Sequence, residues 1–185
     1  TTQSTRRRFP TPAILFIEST WLQPYAPKAW LNFYYVANDA ADDGDILEVD
    51  WVQGSALAAR RTVYEHIGGL DEGYVMYSEE VDWCKRAKAA GWHVFYVGTA
   101  QIVHHGGKST EQVIARSHIL FQQSKLRYTR KHHGWLLAAL LRLWLLLNYT
   151  GQYALETVKW LLGHKRDLRR DRMRAYAKVI RTGLR

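Results

Sequence analysis

The chain has 185 residues, with 26 Lys and Arg against 17 Asp and Glu, which gives a formal net charge of +9. Hydrophobic residues make up 47% of it and only 4 residues are proline, which excludes a disordered or low-complexity chain. The single cysteine, Cys84, excludes a disulfide framework and a cysteine-based zinc site, and it fits a reducing compartment.

The first two thirds of the chain are predicted to contain short elements. The residues up to 12 are expected to be extended, and an acidic loop is expected over 38–45. Three stretches have the composition of strands: 46–52, 93–97 and 100–104. Two stretches predict helices: 62–67, which ends at a double glycine, and 79–90, with Ser78 as its candidate N-cap and Gly91 just past its end.

From Ser117 the chain is predicted to be helical to its end, with breaks near Gly134, Gly151 and Gly163. Residues 125–185 hold 15 Lys and Arg against 3 acids (15 − 3 = +12), whereas residues 1–124 hold 11 against 14 (11 − 14 = −3). The positive charge therefore belongs to the last third of the chain.

Within this last third, the cations flank the apolar run WLLAALLRLWLLL at 135–147. The run is shorter than the about 20 residues that cross a bilayer, and Arg142 interrupts it. Apolar, Trp-containing helices with cationic flanks are typical of the membrane interface. We therefore expect an anionic membrane surface as partner, with a helical hairpin buried on its own domain or a solvated helix face as alternatives. Nucleic acid is not expected, because the cations do not interleave with a known nucleic-acid module.

Five carboxylates fall within twelve residues: Asp71, Glu72, Glu79, Glu80 and Asp82. At about 100° per residue, Asp82, Trp83 and Arg86 share one helix face with Glu79. A local i,i+4 ion pair with Arg86 is one explanation for Asp82, and the helix dipole is one explanation for acids in the first turn. The functional alternative is a general base at the helix start, beside aromatic residues, that takes a proton from a bound hydroxyl.

A second candidate site is the sequence His104-His105-Gly106-Gly107-Lys108-Ser109, which follows a short apolar run. Histidines with glycines beside them suit a metal or phosphate site. An ordinary surface loop is the alternative.

The order of these motifs resembles the acceptor-side half of family 2 glycosyltransferases, and within them the bacterial rhamnosyltransferase-like branch. The resemblance covers roughly residues 1–125. The matching residues are 49–52 with Gly54, Arg60-Arg61, 68–72, Tyr77, 79–82 with Arg86, Gly91-Trp92, and His104 with Gly107 and Ser109.

This resemblance implies an α/β fold: part of a GT-A (Rossmann-like) domain over 1–125, followed by an apolar and basic helical tail over 126–185. It implies an inverting transfer, in which a base deprotonates the acceptor hydroxyl and a divalent metal, Mg²⁺ or Mn²⁺, stabilises the leaving nucleoside diphosphate. The expected donor is a dTDP- or UDP-linked sugar and the expected acceptor a lipid-linked glycan. The expected location is the cytoplasmic face of a bacterial inner membrane, with peripheral attachment.

By position in the motifs, Glu80 takes the role of the base, where the family more often has Asp. The acceptor side is expected to include Asp71, Glu72, Trp51, Tyr77, Glu79 and Asp82. His104 matches the metal- or diphosphate-associated histidine, with His105 as the fallback. Gly54, Gly107 and Ser109 are expected on the diphosphate side.

The chain departs from the family pattern at its start. Family members begin with a nucleotide-binding half that ends in an Asp-x-Asp metal motif, and Asp42-Asp43-Gly44-Asp45 stands in the wrong place to replace it. We therefore expect the chain alone to lack donor binding and to be inactive. The alternative is a non-catalytic membrane-surface module with a decayed site.

Overall fold

A computed structural model describes residues 5–36, 46–104 and 114–185. The chain divides into two compact units. Unit 1 comprises Thr1–Ile14 and Pro24–His105, and unit 2 comprises Leu15–Gln23 and Gly106–Arg185. The described structure is mixed α/β, mostly helical with small sheets, so the predicted class is confirmed at this level. The assignment to a GT-A domain stays a prediction.

The elements up to residue 104 are short. The strands are β1 (Arg6–Arg7), β2 (Ile46–Val49), β3 (Trp51–Val52) and β4 (Val94–Val97). The helices are α1 (Pro12–Ile17), which contributes residues to both units, α2 (Lys28–Tyr35), α3 (Arg61–Ile67) and α4 (Glu79–Ala89). Two 3₁₀ turns lie at Gln23–Tyr25 and Gly54–Ala56. The helices predicted over 62–67 and 79–90 are confirmed within one residue at each end.

The described part of unit 1 contains two small antiparallel sheets. β1 pairs with β3, with Arg6 opposite Val52, and β2 pairs with β4, with Ile46 opposite Val97. The single strand predicted over 46–52 is therefore divided at Asp50. The N–H of Asp50 donates to the carbonyl of Arg7 at 3.0 Å, and its carboxylate accepts from the N–H of Phe9 at 2.9 Å.

The strand predicted over 100–104 is wrong, because these residues have no regular secondary structure. The N–H of Ala100 donates to the carbonyl of Val97 at 3.1 Å, which closes a turn directly after β4.

The core of unit 1 lies where α4 packs on β3 and β4. Val81, Cys84 and Ala87 recur every three residues along α4, and all three are buried. Val49 and Val52 are buried on the strand side. This packing fixes the start of α4 relative to the strands.

From residue 114 on, unit 2 consists of three helices that contact one another: α5 (Ile114–His133), α6 (Trp135–Leu161) and α7 (Arg166–Thr182). The predicted domain boundary after residue 125 lies inside α5. Residues of the 15–23 segment join this unit, since the indole N–H of Trp144 donates to the carbonyl of Phe16 at 2.8 Å. Buried Lys125 donates to the carbonyl of Glu18 at 2.8 Å.

The breaks predicted at Gly134 and Gly163 are confirmed, and both glycines have positive φ angles, 92° and 81°. The break predicted at Gly151 is wrong, because α6 is one helix of 27 residues that continues through it. None of the described helices combines the length and the apolarity that a membrane span requires.

Candidate functional site

Arg86 fixes the position of α4 through hydrogen bonds from its three guanidinium nitrogens. Asp82 is fully buried, and its Oδ2 accepts from Nε of Arg86 at 2.9 Å, which confirms the i,i+4 pair expected from the sequence. The other two nitrogens of Arg86 donate to the carbonyls of Ile67 and Gly69, both at 2.7 Å. These two acceptors were not foreseen, and they tie α4 to the end of α3.

The turn after α3 needs a glycine for this arrangement. Gly68 has φ 77° and ψ 179°, a conformation that only glycine adopts readily. The indole N–H of Trp83 donates to the carbonyl of Gly68 at 2.9 Å. The face of α4 that contains Asp82, Trp83 and Arg86 is thus bonded to the turn after α3. This turn leads into the acidic segment.

Two successive residues before α4 have left-handed backbone conformations. Tyr77 has φ 72° and Ser78 has φ 66°, and such a conformation costs a non-glycine residue about 1–2 kcal/mol. Ser78 occupies the N-cap position but makes no side-chain capping bond. No sequence signal identified this turn, because neither residue is glycine or asparagine. Sparsely populated backbone conformations of this kind cluster at active sites.

The carboxyl group of Glu80 lies in a partly buried pocket of backbone donors. Burial raises its pKa above the ordinary value, and the neighbouring charge of Glu79 adds to this effect. Hydrogen bonds from the backbone N–H groups of Glu80 itself, Gly54 and Val81 act in the opposite direction. Burial dominates, so the proton is held more tightly than on a free glutamate.

Both glutamates at the helix start have one oxygen without a partner. Oε2 of Glu79 and Oε2 of Glu80 are buried, and neither has a hydrogen-bond partner among the residues that the structure describes. Buried polar atoms are normally paired. Capping of the helix accounts for the hydrogen bonds that the Glu80 carboxyl group accepts from backbone N–H groups. It does not account for Oε2, which none of the described residues binds. A carboxylate with a raised pKa and a buried oxygen that no described residue binds has the properties of a general base.

Cys84 lies on the same side of α4 as Glu80 but is not a nucleophile. The thiol is fully buried, and burial raises its pKa to about 11. The reactive form of cysteine is the thiolate, and burial of the thiol disfavours that form.

The predicted acceptor residues differ in exposure and in hydrogen bonding. Oδ1 of Asp71 accepts from the N–H of Gly73 at 2.9 Å, which closes a local turn, and Glu72 is exposed. Tyr77 is half-buried and stands two residues before Glu79. Fully buried Asp82, by contrast, holds the helix through Arg86 and has no surface open to an acceptor.

Trp51, which the resemblance places on the acceptor side, lies in the core instead. It is buried, and its indole N–H donates to the carbonyl of Arg8 at 2.9 Å. The cause is its position in β3, where both residues are buried between β1 and α4.

Gly54 lies against Glu80. A Cβ atom added to this glycine would be 3.8 Å from Cβ of Glu80, and the backbone N–H of Gly54 bonds to the Glu80 carboxyl group. The expected role of Gly54 beside a diphosphate stays a prediction. Its hydrogen bond to Glu80 helps to position that side chain.

The predicted metal and diphosphate residues are described only in part. His104 is exposed, and His105, Gly107 and Ser109 lie outside the described residues, as does the acidic loop with Asp42. Within 5–36, 46–104 and 114–185, no three His, Cys, Asp or Glu side chains are arranged to hold a metal ion. The divalent metal stays a prediction.

Comparison with known proteins finds glycosyltransferases. Over 89 residues, 47% of this chain and 29% of the relative, the chain is 38% identical to N-acetylglucosaminyl-diphospho-decaprenol L-rhamnosyltransferase of Mycobacterium tuberculosis. Over 80 residues, 43% of the chain and 30% of the relative, it is 30% identical to rhamnosyltransferase WbbL of Escherichia coli. Over 96 residues, 52% of the chain and 27% of the relative, it is 26% identical to low-salt glycan biosynthesis hexosyltransferase Agl10 of Haloferax volcanii.

The chain thus spans less than a third of the length of these curated relatives. No protein-family model and no solved structure matches it. About half of the chain is similar to rhamnosyltransferases and hexosyltransferases, which fits a glycosyltransferase family.

Proposed function

We propose that this chain is the acceptor-side part of an inverting glycosyltransferase, with Glu80 as its general base. The observation that carries the proposal is the Glu80 carboxyl group, which has a pKa raised by burial and a buried oxygen that none of the described residues binds. The similarity to three sugar transferases supports the same reaction class.

In this reaction, Oε2 of Glu80 accepts the proton of an acceptor hydroxyl group. The hydroxyl oxygen forms a bond to the anomeric carbon of the donor as the bond from that carbon to the diphosphate oxygen breaks. The leaving nucleoside diphosphate takes the bonding electron pair, and the single displacement inverts the configuration. Because Oε2 is shielded from solvent, groups around it have to move before an acceptor hydroxyl can reach it.

The acceptor class is taken from the relatives. The protein from Mycobacterium tuberculosis is named for transfer of L-rhamnose to N-acetylglucosaminyl-diphospho-decaprenol. We propose a prenyl-diphosphate-linked sugar as the acceptor. The proposed donor is a dTDP- or UDP-linked sugar, and rhamnose is the first sugar to test. Asp71, Glu72 and Glu79 are the carboxylates of this segment that remain for contact with acceptor hydroxyl groups, because Asp82 is bound to Arg86.

The test is transfer of labelled rhamnose from dTDP-rhamnose to an N-acetylglucosaminyl-diphosphoprenol by the whole protein that carries this chain. Glu80→Gln removes the base with little change in shape, and we expect turnover to fall about 100-fold or more. Glu65→Gln is the matched control, because Glu65 is an exposed helical glutamate paired with Arg61 at 2.8 Å. Turnover of Glu80→Gln close to that of the control would refute the role of Glu80.

A further inference from the structure

Helix α6 has an exposed apolar face along almost its whole length. Six large side chains form it: Leu136, Leu140, Leu143, Leu147, Val158 and Leu161. Each is between 51% and 64% exposed. At about 100° per residue, all six lie within about 60° of the helix circumference. Thr150, Gly151 and Ala154, also exposed, connect the two ends of the face, which is about 38 Å long at the α-helical rise per residue.

This face contains no charged residue. The charged residues of α6 are Arg142, Glu156 and Lys159, and at about 100° per residue all three fall outside it. Arg142 donates from Nε to the carbonyl of Gly183 at 2.7 Å, and Glu156 is buried against Arg169 at 2.8 Å. Both bonds direct these charges to the side of α6 that packs in unit 2.

Cations lie at both ends of α6. Arg130 and Lys131 precede α6, and Lys165 and Arg166 follow it, and all four are exposed. Trp135, at the first end, is 71% exposed, and tryptophan favours the depth of the lipid headgroups. An uncharged stripe with cations at each end matches an anionic bilayer surface, where acyl chains take up apolar side chains and headgroups attract Lys and Arg.

A second copy of the chain is a poorer occupant. If two α6 faces paired in antiparallel fashion, Arg130 and Lys131 of one copy would meet Lys165 and Arg166 of the other. In a parallel pair, each set would meet itself. Both arrangements place like charges together, which disfavours association.

We propose that this face of α6 binds the surface of an anionic membrane, with the helix lying parallel to the bilayer plane. The proposal goes beyond sugar transfer and does not depend on it. The sequence of the tail indicates a membrane surface only in general terms. The proposal adds which helix face enters the lipid and which cations contact the headgroups.

Flotation of the 185-residue chain with vesicles tests the proposal. We expect binding to vesicles of phosphatidylglycerol and phosphatidylcholine in equal amounts, and much weaker binding to phosphatidylcholine alone. Leu140→Glu with Leu147→Glu should lower the ratio of bound to free protein at least about tenfold. The control is Val75→Glu with Val103→Glu, which makes the same charge change at residues of unit 1 that are 74% and 83% exposed. This control should bind like the parent.

A second pair, Leu140→Gln with Leu147→Gln, removes the apolar groups without adding charge, and far-UV circular dichroism shows whether each variant keeps its helices. We expect the Gln pair also to bind more weakly than the parent. The proposal is overturned if the Gln pair binds like the parent, if the parent does not float with anionic vesicles, or if it floats equally with neutral ones. The face would instead be assigned to a second copy by two results together. The parent would not bind vesicles, and it would sediment as a dimer that the pair Leu140→Glu with Leu147→Glu dissociates.

Discussion

At Glu80, a carboxyl group is partly buried at a helix start, and the fold has to accommodate its charge. The N–H groups that bond to it favour the ionised form, but burial raises the pKa in spite of them. A group placed only to cap the helix would gain stability from its charge. Here the ionised form instead costs stability, which is a common property of catalytic acids and bases.

This raised pKa predicts how stability depends on pH. Because the folded state binds the Glu80 proton more tightly than the unfolded state, the stabilising contribution of the protonated form is complete below the ordinary pKa of 4.5 and is lost as pH rises through the folded pKa. Gln resembles the protonated form, so Glu80→Gln should be more stable than the parent at pH 7. Urea unfolding at about pH 4 should show that difference reduced or absent. A variant less stable than the parent at pH 7 would contradict the prediction.

Arg86 gives a second prediction at the scale of single residues. Arg86→Met leaves the fully buried Asp82 without its ion pair and two backbone carbonyls without their donors. Loss of one partner of a buried pair costs about 3–5 kcal/mol, and we expect a loss of this size in chemical denaturation. Arg61→Met removes another i,i+4 pair, with Glu65, which is exposed and should cost within about 0.5 kcal/mol. Equal effects of the two substitutions would refute the clamping role of Arg86.

At the scale of elements, the continuity of α6 through Gly151 predicts a stabilising substitution. A Cβ atom at Gly151 would meet nothing within 4 Å, and alanine is about 0.5–1 kcal/mol better than glycine inside a helix. Gly151→Ala should therefore raise the free energy of unfolding by about that amount. Gly163→Ala should lower it, because Gly163 has φ 81°. Thermal unfolding of both variants tests this, and a destabilised Gly151→Ala would show that the helix needs flexibility there.

Local patterns predicted most helices and strands of the structure. The glycines after α3 and α4 marked helix ends, and the spacing of Asp82 and Arg86 identified their ion pair. The split of the strand at Asp50 was not predictable, because it depends on bonds to Arg7 and Phe9, about 40 residues away in sequence. Gly151 was misassigned because a helix tolerates an isolated glycine.

The candidate site was predictable as a cluster of carboxylates but not in its details. The pattern placed Glu79 and Glu80 in the first turn of a helix, where the structure has them. It contained no sign of the left-handed turn at Tyr77 and Ser78, nor of the N–H that Gly54 offers to Glu80. Trp51 was misassigned because an aromatic ring serves a core and a sugar-binding surface equally well.

At the scale of the whole molecule, the two units differ in how they bury charge. Unit 1 buries Asp82 next to a helix start, with Arg86 reaching the backbone of another element. Unit 2 buries the pair of Glu156 and Arg169 between α6 and α7, at 2.8 Å. Each unit also has its own set of buried apolar side chains, which gives each the means to keep its own cooperative structure.

This division predicts where a local defect will be felt. Glu156→Ala leaves Arg169 buried without its carboxylate, so the amides of α6 and α7 should exchange faster with solvent deuterium. The amides of α4 should keep their protection, because the pair of Asp82 and Arg86 is unchanged. Arg86→Met should have the converse effect, with faster exchange in α3 and α4 and unchanged protection in α6. Hydrogen–deuterium exchange followed by mass spectrometry measures both. If either substitution raised exchange equally in both units, the chain would unfold as one cooperative body, and the charge pairs would stabilise the whole molecule instead of the unit that contains them.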